Sequence, residues 1–283
     1  MEVEGRVAII TGASSGIGRQ TAKEFAANGA NVVLAARSRD KLERIASDLA
    51  PLPGRCLVVP TDVTERLSVE ALIRKTAEEY GAVDILINNA GVGLFAPIAD
   101  GNIENARYLF EVNVWGAVHC IQAAIPYMSD RRRGHIVNVS SVAGHVAPPY
   151  MGMYSATKHA LAAISDALRI ELAGTGINVS TIYPGLTETS FTENMLQEVE
   201  APEIPPFARF VGPEIVARRI MQAVRLGLRD VYVSPEDIFA VFADAVFPQA
   251  MDWGMRFLMR PGARHDVHFR LPSPREEPSE PRE

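Results

Sequence analysis

Apolar residues in this chain fall into short runs separated by longer stretches in which they recur at helical spacing. The runs RVAII (6–10), NVVLAA (31–36), CLVVP (56–60), DILIN (84–88), HIVNVS (135–140), INVSTIY (177–183) and DVYVS (230–234) are β-branched and apolar on both faces. Strands buried in a parallel sheet must look like this. Between them, 16–28, 40–50, 66–80, 103–128, 153–173 and 213–226 read as amphipathic helices. Such alternation predicts an α/β fold, a doubly wound parallel sheet of about seven strands. Right-handed crossovers then place every strand's carboxyl end, and the ligand site, along one edge.

No repeat or linker divides the first 234 residues, so one domain over 1–262 is expected. Two regions depart from the alternation. The 186–212 connection carries Phe191, Met195, Leu196, Phe207 and Phe210 and is expected to close over the site as a lid. The 235–262 segment is apolar and is interrupted by Pro248. Its Ile238, Phe239, Phe242, Phe247, Trp253, Phe257 and Leu258 are expected to pack on the body or on another subunit. Arg256 and Arg260 beside these aromatics also allow peripheral membrane contact. The tail, 263–283, is mostly Pro, Ser, Glu and Arg from Pro272 onward and is expected to be disordered.

Composition narrows the function. The chain has 283 residues, 47% hydrophobic and 22% charged, with a net charge of -6. An acidic balance argues against nucleic acid as a partner, because phosphate binding needs a basic surface. The start has no basic segment before a long apolar run, and no apolar stretch reaches the roughly 20 residues of a membrane span. A cytoplasmic location is expected. Cys56 and Cys120 read as two buried, reduced thiols, and no metal site is expected. The His265–His268 pair lacks acidic or helical support for one. RRR (131–133) ends a helical stretch and reads as a solvated face.

TGASSGIGR follows the first strand. Gly12 permits a tight turn, Gly16 lets backbone approach a pyrophosphate at a helix N-terminus, and Gly18 lets helix and sheet pack closely. The plainer alternative is a glycine-rich loop with Ser14 or Ser15 as N-cap. An acid at the end of strand two would bind a ribose 2′-hydroxyl; this chain has Ala36 and then Arg37 there. A guanidinium in that place suits a 2′-phosphate, so NADP(H) is the expected cofactor, unless RSRDK is simply a charged loop opening the next helix. Asp40 comes too late for the ribose and reads as an N-cap. Asp62, after strand three, is placed either to meet the adenine amino group or to cap its own turn. NNAG (88–91) ends strand four and is expected both to line the ribose and to tie strand ends together.

In order, TGASSGIG, NNAG, VNVWG, VNVSS, YSATK and YPGLTET resemble the motifs of the short-chain dehydrogenase/reductase family, over roughly residues 5–234. The resemblance implies a single-domain Rossmann-type fold and alcohol–carbonyl interconversion with a nicotinamide cofactor. It implies Tyr154 as proton donor or acceptor. It makes Lys158 a ribose ligand that lowers the Tyr154 pKa, Ser141 the holder of the substrate oxygen and Asn113 the holder of a relay water. The family's serine-to-tyrosine spacing selects Ser141 over Ser140. It also implies a homodimer or homotetramer built through the helices after strands four and five. The residue types support the acid–base reading independently. A phenol titrates near pH 10, a nearby ammonium favours phenolate, and residues four apart share one helix face.

The candidate cofactor set is Gly12, Ser14, Ser15, Gly16, Ile17, Gly18, Arg37, Asp62, Val63, Asn89, Ala90, Gly91, Tyr154, Lys158, Pro184, Gly185, Thr187 and Thr189. Pro184 and Gly185 form a turn on which a nicotinamide could lie. The Thr187 backbone is expected at the carboxamide. The Thr189 hydroxyl is expected at amide or phosphate, or as a helix N-cap. The substrate is expected between 92–96, 142–153 and 186–212. These stretches are poor in charge, which favours an apolar ketone or alcohol unless they only pack the loop down. His145 is expected to be structural or to touch substrate.

Overall fold

A computed structural model of the chain describes residues 1–189, 191, 195–199 and 209–258. A seven-stranded sheet runs through it in the order β3-β2-β1-β4-β6-β7-β9. Its strands are β1 (Val7–Thr11), β2 (Asn31–Ala36), β3 (Cys56–Pro60), β4 (Ile85–Asn88), β6 (Gly134–Val139), β7 (Ile177–Tyr183) and β9 (Asp230–Tyr232). Every pairing is parallel. The α/β, doubly wound architecture read from the sequence is therefore the observed one. A separate parallel pair, β5 (Leu94–Phe95) with β8 (Leu196–Gln197), had no signal in the sequence, because two residues are too few to show a period.

Two helical layers cover the sheet. Helices α1 (Gly16–Ala27), α2 (Arg39–Leu49) and α7 (Pro213–Leu226) bury Phe25, Leu42, Ile45, Val216, Ile220 and Val224 on one face. On the other lie α3 (Arg66–Tyr80), α5 (Gly116–Asp130) and α6 (Gly152–Glu171), with Leu72, Ile73, Ile121 and Leu168 inward. Phe25 is wholly enclosed, and trimming such a ring to alanine costs about 3–5 kcal/mol. Strand order reverses between β1 and β4, and the crevice opens at their carboxyl ends.

Several local expectations need correction. The stretch 103–128 is not one regular helix. α4 (Ile103–Phe110) passes through a π-helical turn, Glu111–Trp115, into α5. The wider turn carries Asn113, which is fully buried. Ser38, not Asp40, occupies the N-cap position of α2; Asp40 lies in its first turn, where its charge suits the helix dipole. RRR is not simply solvated. Arg133 pairs at 3.0 Å with the buried Asp84, and Arg131 donates to the Gly81 carbonyl. A buried carboxylate needs such a partner. Cys120 is buried, but Cys56 at the start of an edge-facing strand is only half-buried.

The apolar segment after β9 forms α8 (Pro235–Val246) and α9 (Pro248–Leu258), with the break at Pro248. α8 opens with a full capping box between Ser234 and Asp237. Its Ile238, Phe239 and Phe242 do not pack on the body of the chain; Phe239 is 71% exposed. Phe207, the His265–His268 pair and the tail lie outside the described residues. Among those described, no helix is long and apolar enough to cross a membrane.

Candidate active site

The first turn of the site is built from β1 and β4. The Thr11 hydroxyl accepts from the backbone N–H groups of Asn89 and Ala90, each at 3.0 Å. Asn89 Nδ2 donates back to the Thr11 carbonyl at 2.9 Å. The Asn89 side chain thus ties strand ends together, one of the two duties expected of NNAG. Gly12 has φ +65°, and a side chain there would meet Ala90 Cα at 2.8 Å. At Gly18 a side chain would run into the Gly12 carbonyl oxygen. Two backbone segments can approach this closely only without Cβ atoms.

Ser15 stands at the N-cap position of α1, yet its side chain makes no capping bond. The first N–H groups of α1, at Gly16, Ile17 and Gly18, therefore lack a side-chain cap and have no partner within the helix. With the helix dipole they suit an anion such as a pyrophosphate. Thr189 faces the loop from the other side: a Cβ on Gly16 would lie 3.2 Å from its side chain. The Thr189 hydroxyl accepts from Phe191 N at 3.2 Å. This donor set fits a dinucleotide. Outside it, a shallow cleft of about 470 Å³ runs from Ser14 past Arg19, Lys41 and Arg44.

Arg37 is exposed at the end of β2, and its Nη1 donates to the Tyr108 hydroxyl on α4 at 3.0 Å. Asp62 Oδ1 accepts from the Thr64 backbone N–H at 3.0 Å and the Thr64 hydroxyl at 2.8 Å, so it caps its own turn. Val63 is buried beside Gly116, and its carbonyl lies 3.2 Å from His119 Nδ1.

The Tyr154–Lys158 end lies deeper. Asn113 Oδ1 accepts from Val92 N at 2.8 Å, and its Nδ2 donates to the Val92 carbonyl and to Thr157 Oγ1. Thr157 in turn donates to the Tyr154 carbonyl at 2.7 Å. One buried amide thereby joins the NNAG turn, the π-helical turn and α6. Tyr154 and Lys158 are 7% and 5% exposed, with the ammonium 5.7 Å from the phenol ring centre. Lys158 Nζ donates to the Val139 carbonyl at 3.0 Å and sits close beside Gly91.

Burial governs both pKa values in the protein alone. It pushes the Tyr154 hydroxyl up to about 12, against the smaller opposing effect of the Ser141 hydroxyl. It brings Lys158 down to about 8. In the protein alone the burial of the phenol thus outweighs what its neighbours do to favour phenolate.

The two serines divide clearly. Ser140 is buried and spends its hydroxyl on the Lys158 carbonyl at 3.0 Å. Ser141 is only half-buried; it accepts from Ala143 N at 3.1 Å and reaches the Pro184 carbonyl at 3.3 Å. Pro184 and Gly185 turn beside it, with the Asp237 carboxylate of α8 packed against Gly185. Thr187 pairs with Val211 as an isolated bridge, and its hydroxyl donates to the Gly185 carbonyl. His145 is structural here: it lies 4.5 Å from the Tyr183 ring, and its Nε2 is 3.2 Å from the Tyr232 hydroxyl.

Apolar side chains wall the Tyr154 ring. It belongs to one cluster with Leu94, Ala96, Leu109 and Ala143, and Phe191 tilts against it at 5.7 Å. Glu198, just past β8, holds this wall to α4: its carboxylate accepts from Asn102 N at 2.8 Å and Asn105 Nδ2 at 2.7 Å. Sequence reasoning missed Tyr108, Glu198 and Asp237, whose partners are remote in the chain. It also missed Thr157, although its place inside YSATK was a usable signal.

The family pattern described as short chain dehydrogenase matches residues 6–200. The chain belongs to that family. It is an oxidoreductase of the short-chain kind, and its relatives agree. An oxidoreductase of Staphylococcus haemolyticus is 42% identical over 192 residues, which cover 68% of this chain and 82% of that one. Among solved structures, a short-chain dehydrogenase/reductase from Burkholderia phymatum in complex with NAD superposes with a TM-score of 0.80. It is 29% identical and the match covers 89% of this chain and 96% of that one. An alcohol dehydrogenase from the archaeon Thermococcus sibiricus, complexed with 5-hydroxy-NADP, matches with a TM-score of 0.71 at 28% identity, over 80% and 94% of the two chains.

Proposed function

We propose that this oxidoreductase transfers a hydride between NADP(H) and the carbonyl or alcohol carbon of an apolar substrate. The observation that carries the reading is Tyr154, set beside Lys158 at the carboxyl edge of the sheet and walled by Leu94, Ala96, Ala143 and Phe191. A charged or sugar-like substrate would find few polar partners on that wall. One solved relative carries NAD and another an NADP derivative, so the fold accepts both. The choice here rests on Arg37, which stands where an acid would exclude a 2′-phosphate.

The nicotinamide, when bound, supplies or accepts the hydride. The chain's own residues do the rest. Ser141, the less buried of the two serines, donates to the substrate oxygen as negative charge develops on it. Tyr154 gives that oxygen its proton in reduction and takes it back in oxidation. Lys158, with a pKa brought down to about 8, exchanges protons near neutrality and can resupply the phenol. Asn113 holds the NNAG turn and α6 in register behind the pair. Phe191 and its neighbours keep water from the reacting carbon.

A panel of aliphatic, aromatic, steroid and acyl ketones with NADPH, followed at the nicotinamide absorbance band, tests this. Turnover is expected with apolar ketones. NADPH binding without turnover on any of them would overturn the assignment.

A further inference from the structure

Resting on the NADP(H) reading, we propose that Tyr108 of α4 is a specificity-determining residue that orients Arg37 toward a 2′-phosphate. The two residues come from different elements, the end of β2 and α4, 71 positions apart in sequence. Arg37 Nη1 donates to the Tyr108 hydroxyl oxygen at 3.0 Å. That hydroxyl keeps its own proton, so the pair presents a guanidinium and an O–H donor together. A dianionic phosphoryl group takes both.

The chemistry of the partner matters. The neighbouring arginines are neutralised: Arg39 pairs with Glu43 at 3.3 Å and Arg107 with Glu104 at 2.7 Å. Among the described ion pairs none involves Arg37. A phenol fixes the direction of the guanidinium without cancelling its charge, which a carboxylate would do. The remaining N–H groups of the fork stay open for phosphate oxygens. Asp62, after β3, the strand beside β2, has Oδ1 engaged by Thr64. Tyr108 is 36% exposed, so its ring is not a core element and loss of the hydroxyl alone leaves the fold intact.

The test is a fluorescence titration of NADPH and NADH against four proteins: wild type, Tyr108→Phe, Arg37→Ala and the double variant. Tyr108→Phe should weaken NADPH about fivefold and leave NADH within about twofold. The double variant should bind NADPH no more weakly than Arg37→Ala alone, because the tyrosine acts through the arginine. Selective loss of NADPH in Arg37→Ala with none in Tyr108→Phe would overturn the proposal while sparing the cofactor reading. Equal weakening of both cofactors in Tyr108→Phe would also overturn it. Equal weakening of both in Arg37→Ala would instead defeat the NADP(H) reading itself. A matched melting temperature for Tyr108→Phe separates these outcomes from misfolding.

Discussion

The two ends of the crevice are built on different principles. At the proposed reaction end, Asn113, Tyr154 and Lys158 are buried, Asn113 is tied to α6 through Thr157, and burial shifts the Tyr154 and Lys158 pKa values. At the end proposed to take the adenosine, Arg37 and Tyr108 meet at the surface, where water screens charge. Proton transfer needs a dry, held geometry, whereas recognising a phosphate dianion needs an uncancelled cation that a large ligand can reach. Substitutions should therefore act on chemistry at one end and on cofactor choice at the other.

The sharpest way to break that contrast is Tyr154→Phe. It should lower kcat by about 10²–10⁴-fold and leave the NADPH dissociation constant nearly unchanged, read by steady-state kinetics and cofactor titration. Arg37→Ala should do the reverse, raising the NADPH dissociation constant about thirtyfold with little change in kcat at saturation.

Lys158→Met probes burial directly. In the folded protein the ammonium titrates at about 8 rather than 10.5. Below about 8 the folded state therefore carries the full cost of a buried charge. As pH rises from about 8 to 10.5, the unfolded chain still holds the proton that the folded one has lost, so wild-type stability recovers. The methionine variant should be inactive yet more stable at pH 7, on the order of 2 kcal/mol, and the gain should vanish toward pH 10.5. Denaturant melts across that range would show it; a constant difference would mean the lysine is not desolvated.

Glu198→Ala should have the smallest effect. Loss of the fork to Asn102 and Asn105 should raise KM about threefold and speed amide exchange at Leu196 and Glu198, whose N–H groups bond to Gly93 and Phe95. Unchanged exchange would mean β8 stays paired without the carboxylate.

That Tyr154 and Lys158 lie together was legible before any fold was known, for a local reason. Tyr154 and Lys158 lie four apart on one helix, so their shared face follows from helical geometry alone. NNAG and TGASSGIG end strands whose period was clear, and parallel topology brings their carboxyl ends together. The choice of Ser141 over Ser140 rested on family spacing, and the structure supplies a physical reason: Ser140 points inward, to α6. The π-helical turn was not read, because apolar residues on both sides of it hide the phase shift that its extra residue makes. The pairing of Arg133 with Asp84 was hidden among charges that read as solvated.

The alternation of apolar runs with helical spacing determined the α/β class and the crevice edge, and spacing within one helix put Tyr154 and Lys158 on a shared face. Contacts between remote elements needed the tertiary structure. The Arg37–Tyr108 pair, the Glu198 fork onto α4 and the outward face of α8 each join or separate parts of the chain far apart in sequence. Only the packed sheet and its helices decide which side chains, emerging from different elements, come within hydrogen-bond reach.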